Sequence, residues 1–259
     1  MSQIASVFRP GHKALIAYLT VGYPSREATF EAATTLAQCG CDIIELGIPF
    51  SDPLADGATI QQASYQALAQ GITPQACLDV ARRLRESINT PLVFMSYYNP
   101  ILSFGLEAFC RASAKAGVDG LIVPDLPPEE GVELEVSAGK HGIDLIYLLT
   151  PTSTGERISL VAEKSRGFIY LVSLTGVTGA RQTLPAGLED FVRNVRRITS
   201  KPLCVGFGVS NPEQASRVAR IADGVIIGSR LIQLISQDAS LSSLKAAVLE
   251  LRAALNQYH

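Results

Sequence analysis

The sequence predicts a single-domain (β/α)8 barrel of the TIM type, and two observations carry this prediction. The 259-residue chain alternates eight short apolar runs with longer amphipathic segments. Each run is continuous in Val, Ile, Leu, Phe or Tyr, as expected of parallel strands covered on both faces. Eight strand–helix units with right-handed crossovers close most naturally into a barrel. The runs occupy residues 14–21, 41–47, 91–98, 120–126, 144–150, 167–174, 202–208 and 224–228.

The segments between the runs carry helical signals. Residues 25–38, 73–87 and 105–116 repeat apolar positions at helical spacing. A doubly wound open sheet is the alternative, but it would need a glycine-rich dinucleotide-binding turn after an early strand, and the sequence has none. We expect residues 1–259 to form one domain, in which residues 1–12 are an N-terminal extension with a short helix.

Composition argues against several classes of function. The 22 basic and 24 acidic side chains give a net charge of −2, whereas nucleic-acid binding needs a clustered excess of positive charge. No apolar run approaches the roughly 20 residues that cross a bilayer, and the N-terminus has no apolar segment typical of an export signal. The five cysteines are scattered and form no C-x-x-C pair, which is typical of reduced thiols. We therefore expect a soluble cytoplasmic protein without a nucleic-acid or membrane partner.

Two connections after predicted strands are longer than the others. Residues 48–71 follow the second run and residues 175–187 follow the sixth, and both are dense in Pro, Gly, Asp and Thr. The loops that follow barrel strands gather at the C-terminal mouth, where binding and closure usually take place. We expect these extended loops 2 and 6 to cover the site.

The reactive side chains available at that mouth are few. None of the three histidines (His12, His141, His259) and none of the six lysines falls at the C-terminal end of a predicted strand. A histidine metal site, a Ser-His-Asp relay and a Schiff-base lysine each lack their central group. We therefore expect no metal, and a chemistry carried by carboxylates, tyrosines and glycine-rich turns.

Glu45 is the first candidate for catalysis, because its carboxylate lies inside an apolar predicted strand. Burial raises the pKa of a carboxyl group toward the range useful for general acid–base work. By alternation along the strand, Glu45 shares a face with Ile43 and Gly47, and Gly47 leaves space above the carboxylate. Asp56, in the following loop, can supply a second carboxylate that divides acid and base roles with the first. A structural glutamate held by neighbouring hydroxyls is the alternative.

Short glycine motifs after three predicted strands indicate a phosphate site. Gly208 closes the seventh run, Gly228 and Ser229 close the eighth, and residues 176–179 lie in the sixth loop. In barrels, the loops after strands seven and eight and a helix N-terminus commonly bind phosphate through backbone N–H groups. Apolar residues near the mouth can form a slot for a flat hydrophobic group. They are Tyr18, Ile60, Tyr97, Leu148 and Tyr170.

Four motifs, in order along essentially the whole chain, resemble those of the tryptophan synthase α subunit family. They are ELGIPFSDPLADG at 45–57, followed by Ile60 and Gln61, VPDLP at 123–127, GVTG at 176–179 and GFGVS at 206–210. The resemblance implies a lyase of tryptophan biosynthesis. Such an enzyme cleaves indole-3-glycerol phosphate by a retro-aldol reaction to indole and glyceraldehyde 3-phosphate.

The resemblance also implies roles for individual residues. Glu45 would be the general acid–base, Asp56 would bind the indole N1–H, and Tyr170 would lie near Glu45 as a third member of the catalytic group. Thr178 would order the sixth loop onto Asp56 when the site closes, and Tyr18 stands where the family commonly has phenylalanine. The phosphate-binding positions would be Gly179, Phe207, Gly208, Gly228 and Ser229.

By the same resemblance, the chain would dock on a tryptophan synthase β subunit that carries pyridoxal phosphate, in an α2β2 tetramer, and would itself hold no cofactor. The loop around Asp52 and Pro53 and the turn at 125–128 would form the docking surface. Three alternatives remain open at this point. They are a stand-alone indole-releasing lyase that needs no β subunit, an isomerase or synthase on a related phosphorylated substrate, and a non-catalytic protein that binds the β subunit.

Overall fold

A computed structural model describes residues 2–172, 187–206 and 208–258, and these form a nearly closed barrel of parallel strands surrounded by helices. The described strands pair in the order β5-β4-β3-β2-β1-β9-β8-β7-β6. They are β1 (Ala14–Thr20), β2 (Ile43–Gly47), β3 (Leu92–Met95), β4 (Gly120–Ile122), β5 (Asp144–Ile146), β6 (Leu148–Leu149), β7 (Ile169–Val172), β8 (Leu203–Gly206) and β9 (Gly224–Ile227). The predicted TIM-barrel fold is confirmed.

The helices lie outside the strands, apart from a short one at the N-terminus. They are α1 (Gln3–Val7), α2 (Arg26–Gln38), α3 (Ala58–Ala69), α4 (Pro74–Arg85), α5 (Tyr98–Phe104), α6 (Leu106–Lys115), α7 (Val132–Lys140), α8 (Gly155–Lys164), α9 (Leu188–Ile198), α10 (Pro212–Ala219), α11 (Ser229–Gln237) and α12 (Ser242–Leu255). Within the described ranges, no helix combines the length and the apolar character needed to cross a membrane.

The described residues contain nine strands where the sequence predicts eight, because one predicted strand is divided. β5 and β6 both lie within residues 144–150 and are separated by Tyr147 alone. The Tyr147 N–H donates to the Ser165 hydroxyl at 3.1 Å, and its carbonyl accepts from the Tyr170 N–H at 3.0 Å. Since β5 pairs with β4 and β6 pairs with β7, the divided strand joins the two ends of the sheet.

Loop 2 is shorter than the sequence predicts. Of residues 48–71, expected as one extended loop, residues 58–69 form the additional helix α3, so that the loop itself runs from Ile48 to Gly57. The predicted loop 6 falls outside the described residues except for Gly187. The three predicted helical segments correspond to α2, α4 and α6.

The barrel interior is filled by side chains up to the level of the candidate site. The interior positions are Ala14, Ile16, Tyr18, Ile43, Val93, Met95, Ile122, Ile146, Phe168, Tyr170, Cys204 and Ile226. Helix α1 closes the N-terminal end, because the fully buried Ile4 packs against Gly120 at the start of β4. Phe8 adds a ring contact to Phe168 at 5.9 Å between centroids. Access to the interior is therefore left to the C-terminal mouth.

Three aspartates at the N-terminal ends of strands fasten neighbouring strands together. Asp42 accepts the Leu15 N–H at 2.8 Å and Asp119 accepts the Leu92 N–H at 2.9 Å. Each of these carboxylates also pairs with an arginine of an outer helix. The three sets are Asp42 with Leu15 and Arg252, Asp119 with Leu92 and Arg85, and Asp223 with Leu203 and Arg196. We call these sets the aspartate clamps.

Candidate active site

Glu45 lies on β2 and points into the barrel. It is in register with Tyr18 on β1 and Val93 on β3, and it is 0% exposed. Neither carboxyl oxygen has a hydrogen-bond partner in the described part of the chain. Burial therefore raises the pKa of Glu45 to about 8, because nothing compensates for the loss of hydration of the charged form. The structural alternative, a glutamate held by neighbouring hydroxyls, finds no such bond among the described residues.

The space expected above Glu45 is occupied by a phenol. A methyl group added at Gly47 would lie 2.1 Å from the Tyr18 hydroxyl, so the glycine makes room for this side chain. The same relation recurs on the other side of the barrel, where a methyl group at Gly206 would lie 2.3 Å from the Tyr170 hydroxyl. Burial raises the pKa of both tyrosines, and the charges of Asp56 and Glu45 raise it further. Two neutral phenols thus share the upper interior with this carboxyl group.

Asp56 lies in loop 2, above the mouth, and is 6% exposed. Its backbone N–H donates to the Pro53 carbonyl at 3.0 Å, and its carbonyl accepts from the Gln61 side-chain amide at 2.9 Å. Burial raises the pKa of the Asp56 carboxyl to about 7, and a hydrogen bond with Tyr97 acts in the opposite direction. The site therefore holds a second carboxyl group that changes charge near neutral pH.

Tyr97 links loop 2 to the connection after β3. Its hydroxyl accepts the Ala55 N–H at 2.9 Å, which turns the hydroxyl proton toward Asp56. The next residue begins α5, and the Tyr98 N–H donates to Asp125 at 2.9 Å. Tyr97, which the sequence predicts as a residue of the apolar slot, is buried, and its hydroxyl lies beside the Asp56 carboxyl group. Sequence reasoning could not find this bond, because 41 residues separate the two positions.

The remaining slot residues lie together at the barrel interior. Tyr18, Tyr170 and the buried Ile60 of α3 belong to one apolar cluster, and Leu148 packs against it. Met95 and Val172 extend this cluster and were missed by the sequence reasoning, although their positions near the ends of β3 and β7 could have indicated them. The cluster provides an apolar wall next to Glu45.

The described part of the predicted phosphate site lies at the ends of β8 and β9. Cys204 on β8 pairs with Gly224 on β9 in the parallel sheet. Gly208 lies four residues after Cys204, and Gly228 lies four residues after Gly224, so both glycines follow the same end of the two strands. Gly208 has a φ of +95°, a conformation that favours glycine, and Gly228 immediately precedes α11, which begins at Ser229. Gly228 therefore presents main-chain groups at a helix N-terminus, where anions are favoured, and Gly208 lies two residues after the end of β8. Thr178, Gly179 and Phe207 lie outside the described residues.

The arrangement supports proton transfer between carboxyl groups and an apolar ligand. Glu45 is protonated and Asp56 is partly ionised at neutral pH, so one can donate a proton while the other accepts a hydrogen bond. Within residues 2–172, 187–206 and 208–258, no group of three or more His, Cys, Asp or Glu side chains is arranged to hold a metal ion.

Comparisons with known proteins show which family the chain resembles. The family model described as tryptophan synthase alpha chain matches residues 4–258. The tryptophan synthase alpha chain of Dehalococcoides mccartyi is 56% identical over 256 residues, which cover 99% of this chain and 100% of that protein. That of Carboxydothermus hydrogenoformans is 48% identical over 257 residues, 98% of this chain and 96% of that one.

The structure of the chain is also similar to solved structures. A chain in a structure of Mycobacterium tuberculosis tryptophan synthase superposes with a TM-score of 0.91 at 39% sequence identity, covering 98% of this chain and 96% of that one. An Aquifex aeolicus VF5 structure gives a TM-score of 0.91 at 41% identity and covers 98% and 99% of the two chains. Both the sequence and the barrel thus match over nearly their full length. The chain belongs to the tryptophan synthase alpha chain family, a lyase family of tryptophan biosynthesis.

Proposed function

We propose that this chain cleaves indole-3-glycerol phosphate to indole and glyceraldehyde 3-phosphate, with Glu45 as the general acid–base. The observation that carries this proposal is the fully buried Glu45 carboxyl group, whose pKa of about 8 keeps it protonated at neutral pH. A protonated carboxylic acid next to an apolar wall is suited to deliver a proton to an aromatic carbon.

In the proposed reaction, Glu45 first donates its proton to C3 of the indole ring. The resulting carboxylate then removes the proton of the hydroxyl group on the adjacent carbon, C3′. The electrons of the O–H bond form the aldehyde C=O bond, and the C3–C3′ bond breaks. Its electron pair returns to the indole ring and neutralises the positive charge there. Glu45 ends the cycle protonated, so no net proton is consumed.

Asp56 stabilises the positive charge that the ring carries between these two steps. In its ionised form it accepts a hydrogen bond from the indole N1–H, and because it is nearly buried, this interaction is weakly screened. With a pKa of about 7, the ionised form is accessible at neutral pH. The third catalytic candidate, Tyr170, would help to hold the ring beside Glu45.

The substrate phosphate is proposed to lie against the ends of β8 and β9. There the main chain at Gly208 and the first turn of α11 at Gly228 and Ser229 provide the described part of the site. Gly179 and Phe207 would complete the phosphate site, and Thr178 would contact loop 2.

The proposal is tested by an indole-release assay on Glu45→Gln. This substitution keeps the size of the side chain but removes its proton transfer, so we expect kcat to fall by about 10²- to 10⁴-fold. The matched control is Glu250→Gln, at an exposed position of α12, which should keep wild-type turnover. Near-normal indole release by Glu45→Gln would contradict the assigned role.

We further propose that loop 2 and the turn at residues 125–128 dock on a tryptophan synthase β subunit, which holds the pyridoxal phosphate, in an α2β2 tetramer. Leu54 is 93% exposed and Tyr65 on α3 is 75% exposed, and both border a groove of about 680 Å³. Exposed apolar side chains of this size grouped around a groove are typical of a protein interface. The groove also contains Asp52 and Pro53, next to the catalytic part of the loop.

Co-purification with a β subunit tests the docking surface. Leu54→Asp should weaken the complex by at least about 10-fold, because a buried interface charge without a partner is costly. Leu249→Asp on α12, where the leucine is 48% exposed, is the control and should bind normally. Docking is also expected to raise turnover of the α reaction, and a stable complex in which that turnover is unchanged would contradict this expectation. High turnover of the isolated chain would favour a stand-alone lyase.

A further inference from the structure

The side chain of Tyr18 spans the mouth of the barrel between the two ends of the proposed site. Its Cβ and Cδ1 atoms lie 3.3 and 3.2 Å from the position of a methyl group added at Gly228, beside the N-terminus of α11. Its hydroxyl lies over Gly47, two residues beyond Glu45 on β2. The ring therefore runs from the phosphate end of the site to the carboxylate end.

The Tyr18 hydroxyl has no good hydrogen-bond partner among the described residues. Its one contact is to the Thr20 hydroxyl of its own strand, at 3.4 Å, which is longer than the 2.5–3.0 Å typical of O–H···O bonds. Tyr18 is only 6% exposed, and buried tyrosine hydroxyls usually find a partner. Burial and the charges of Asp56 and Glu45 raise its pKa, so the hydroxyl stays protonated and can donate.

This position matches an unassigned part of the substrate. A three-carbon chain that starts at the phosphate end and ends with C3′ beside Glu45 would lie along the Tyr18 ring. Glu45 acts on the C3′ hydroxyl, and the phosphate takes the other end. The hydroxyl on the middle carbon, C2′, would then lie near the hydroxyl of Tyr18, whose contact with Thr20 is long.

We propose that Tyr18 is a specificity-determining residue, whose hydroxyl forms a hydrogen bond with the C2′ hydroxyl of the substrate. The inference rests on the proposed function, because it assumes the same substrate and the same orientation. Phenylalanine at this position would provide the same apolar wall without the hydrogen bond, so the contribution of the oxygen atom can be measured by itself.

The condensation of indole with an aldehyde phosphate, the reverse of the proposed cleavage, provides the test. Glyceraldehyde 3-phosphate carries the hydroxyl that becomes C2′–OH, and 3-oxopropyl phosphate lacks it. We expect wild type to prefer glyceraldehyde 3-phosphate in kcat/KM by about 10-fold or more, the value of one hydrogen bond in a closed site. Tyr18→Phe should lose about 10-fold on glyceraldehyde 3-phosphate and less than 2-fold on 3-oxopropyl phosphate. The control Tyr258→Phe, near the C-terminus, should behave as wild type with both aldehydes.

Two results would overturn the inference. An equal loss by Tyr18→Phe on both aldehydes would show that the hydroxyl acts on the structure of the site, and no preference by wild type would show that C2′–OH is not recognised. Glu45→Gln, assayed in parallel, separates this inference from the proposed function. If Glu45→Gln condenses either aldehyde as well as wild type does, the proposed reaction is wrong. If Glu45→Gln is inactive and Tyr18→Phe does not discriminate, only the role of Tyr18 is wrong.

Discussion

Replacing Glu45 by glutamine should remove activity and should also stabilise the protein relative to wild type. This gain in stability should grow as the pH rises. The usual pKa of a glutamate is 4.5, and burial raises that of Glu45 to about 8. The folded state therefore holds a proton that the unfolded chain releases between these pH values. The contribution of Glu45 to the free energy of unfolding is therefore fully present below pH 4.5 and is lost as the pH rises to about 8.

The size of this effect follows from the two pKa values. One pKa unit corresponds to about 1.4 kcal/mol, so keeping Glu45 protonated at pH 7 costs about 3 kcal/mol of folding free energy. Glutamine is neutral and does not carry this cost. Burial of the glutamine amide adds a penalty that does not change with pH. This penalty therefore cancels when the stability difference between variant and wild type is compared at two pH values. For a domain of this length, the corresponding gain in Tm is about 6–12 °C between pH 4 and pH 7.

Thermal unfolding of wild type and Glu45→Gln, measured at intervals from pH 4 to pH 8, tests the reasoning. The difference in Tm between the two proteins should widen steadily in favour of the variant. Glu250→Gln, at an exposed position, should show no such trend. A difference that is constant over this pH range would refute the assignment of Glu45 as a buried, protonated acid.

Three other predictions follow from the site geometry. The pH profile of kcat/KM should be bell-shaped with apparent pKa values of about 7 and about 8, because activity needs ionised Asp56 and protonated Glu45. A flat profile from pH 6 to 9 would contradict these roles. Tyr97→Phe removes the hydrogen bond that lowers the pKa of Asp56, so the acid limb should move to higher pH and the alkaline limb should not, as a steady-state pH profile would show. Gly47→Ala would place a methyl group 2.1 Å from a phenol oxygen and should cost about 1–3 kcal/mol of stability and more than 10-fold in indole release. Gly139→Ala, with nothing within 4 Å, should leave activity unchanged and Tm equal or higher, and similar losses in both variants would argue against the steric explanation.

Much of the fold could be predicted from the sequence, because continuous apolar runs report burial on both faces of a strand. The division of the fifth strand could not, since Tyr147 is as apolar as its neighbours. The interruption depends on a hydrogen bond to Ser165, 18 residues later, which no local pattern reveals. Helix α3 was missed because the turn residues of loop 2 precede it directly and make the whole segment look irregular.

The candidate site was predictable in part, for a similar reason. Glu45 stands out because a carboxylate inside an apolar strand is unusual on any reading of the sequence. The burial of Asp56 could not be foreseen, because an aspartate between alanine and glycine is typical of an exposed turn. Its environment depends on Tyr97, which reaches it from the next strand connection. The space that Gly47 was expected to leave above Glu45 is occupied by the Tyr18 hydroxyl, and alternation along one strand does not show what the neighbouring strand contributes.

The aspartate clamps lie at the opposite end of the barrel from Glu45 and Asp56. Each one ties a strand backbone to its neighbour and to an outer helix, and within the described ranges none of these hydrogen bonds reaches a residue of the candidate site. Engineering for new substrates can therefore be confined to residues at the C-terminal rim, where exchanges leave this fastening intact. Stabilising substitutions can be sought at the N-terminal rim, where they would offset the loss of stability caused by substitutions at the C-terminal rim.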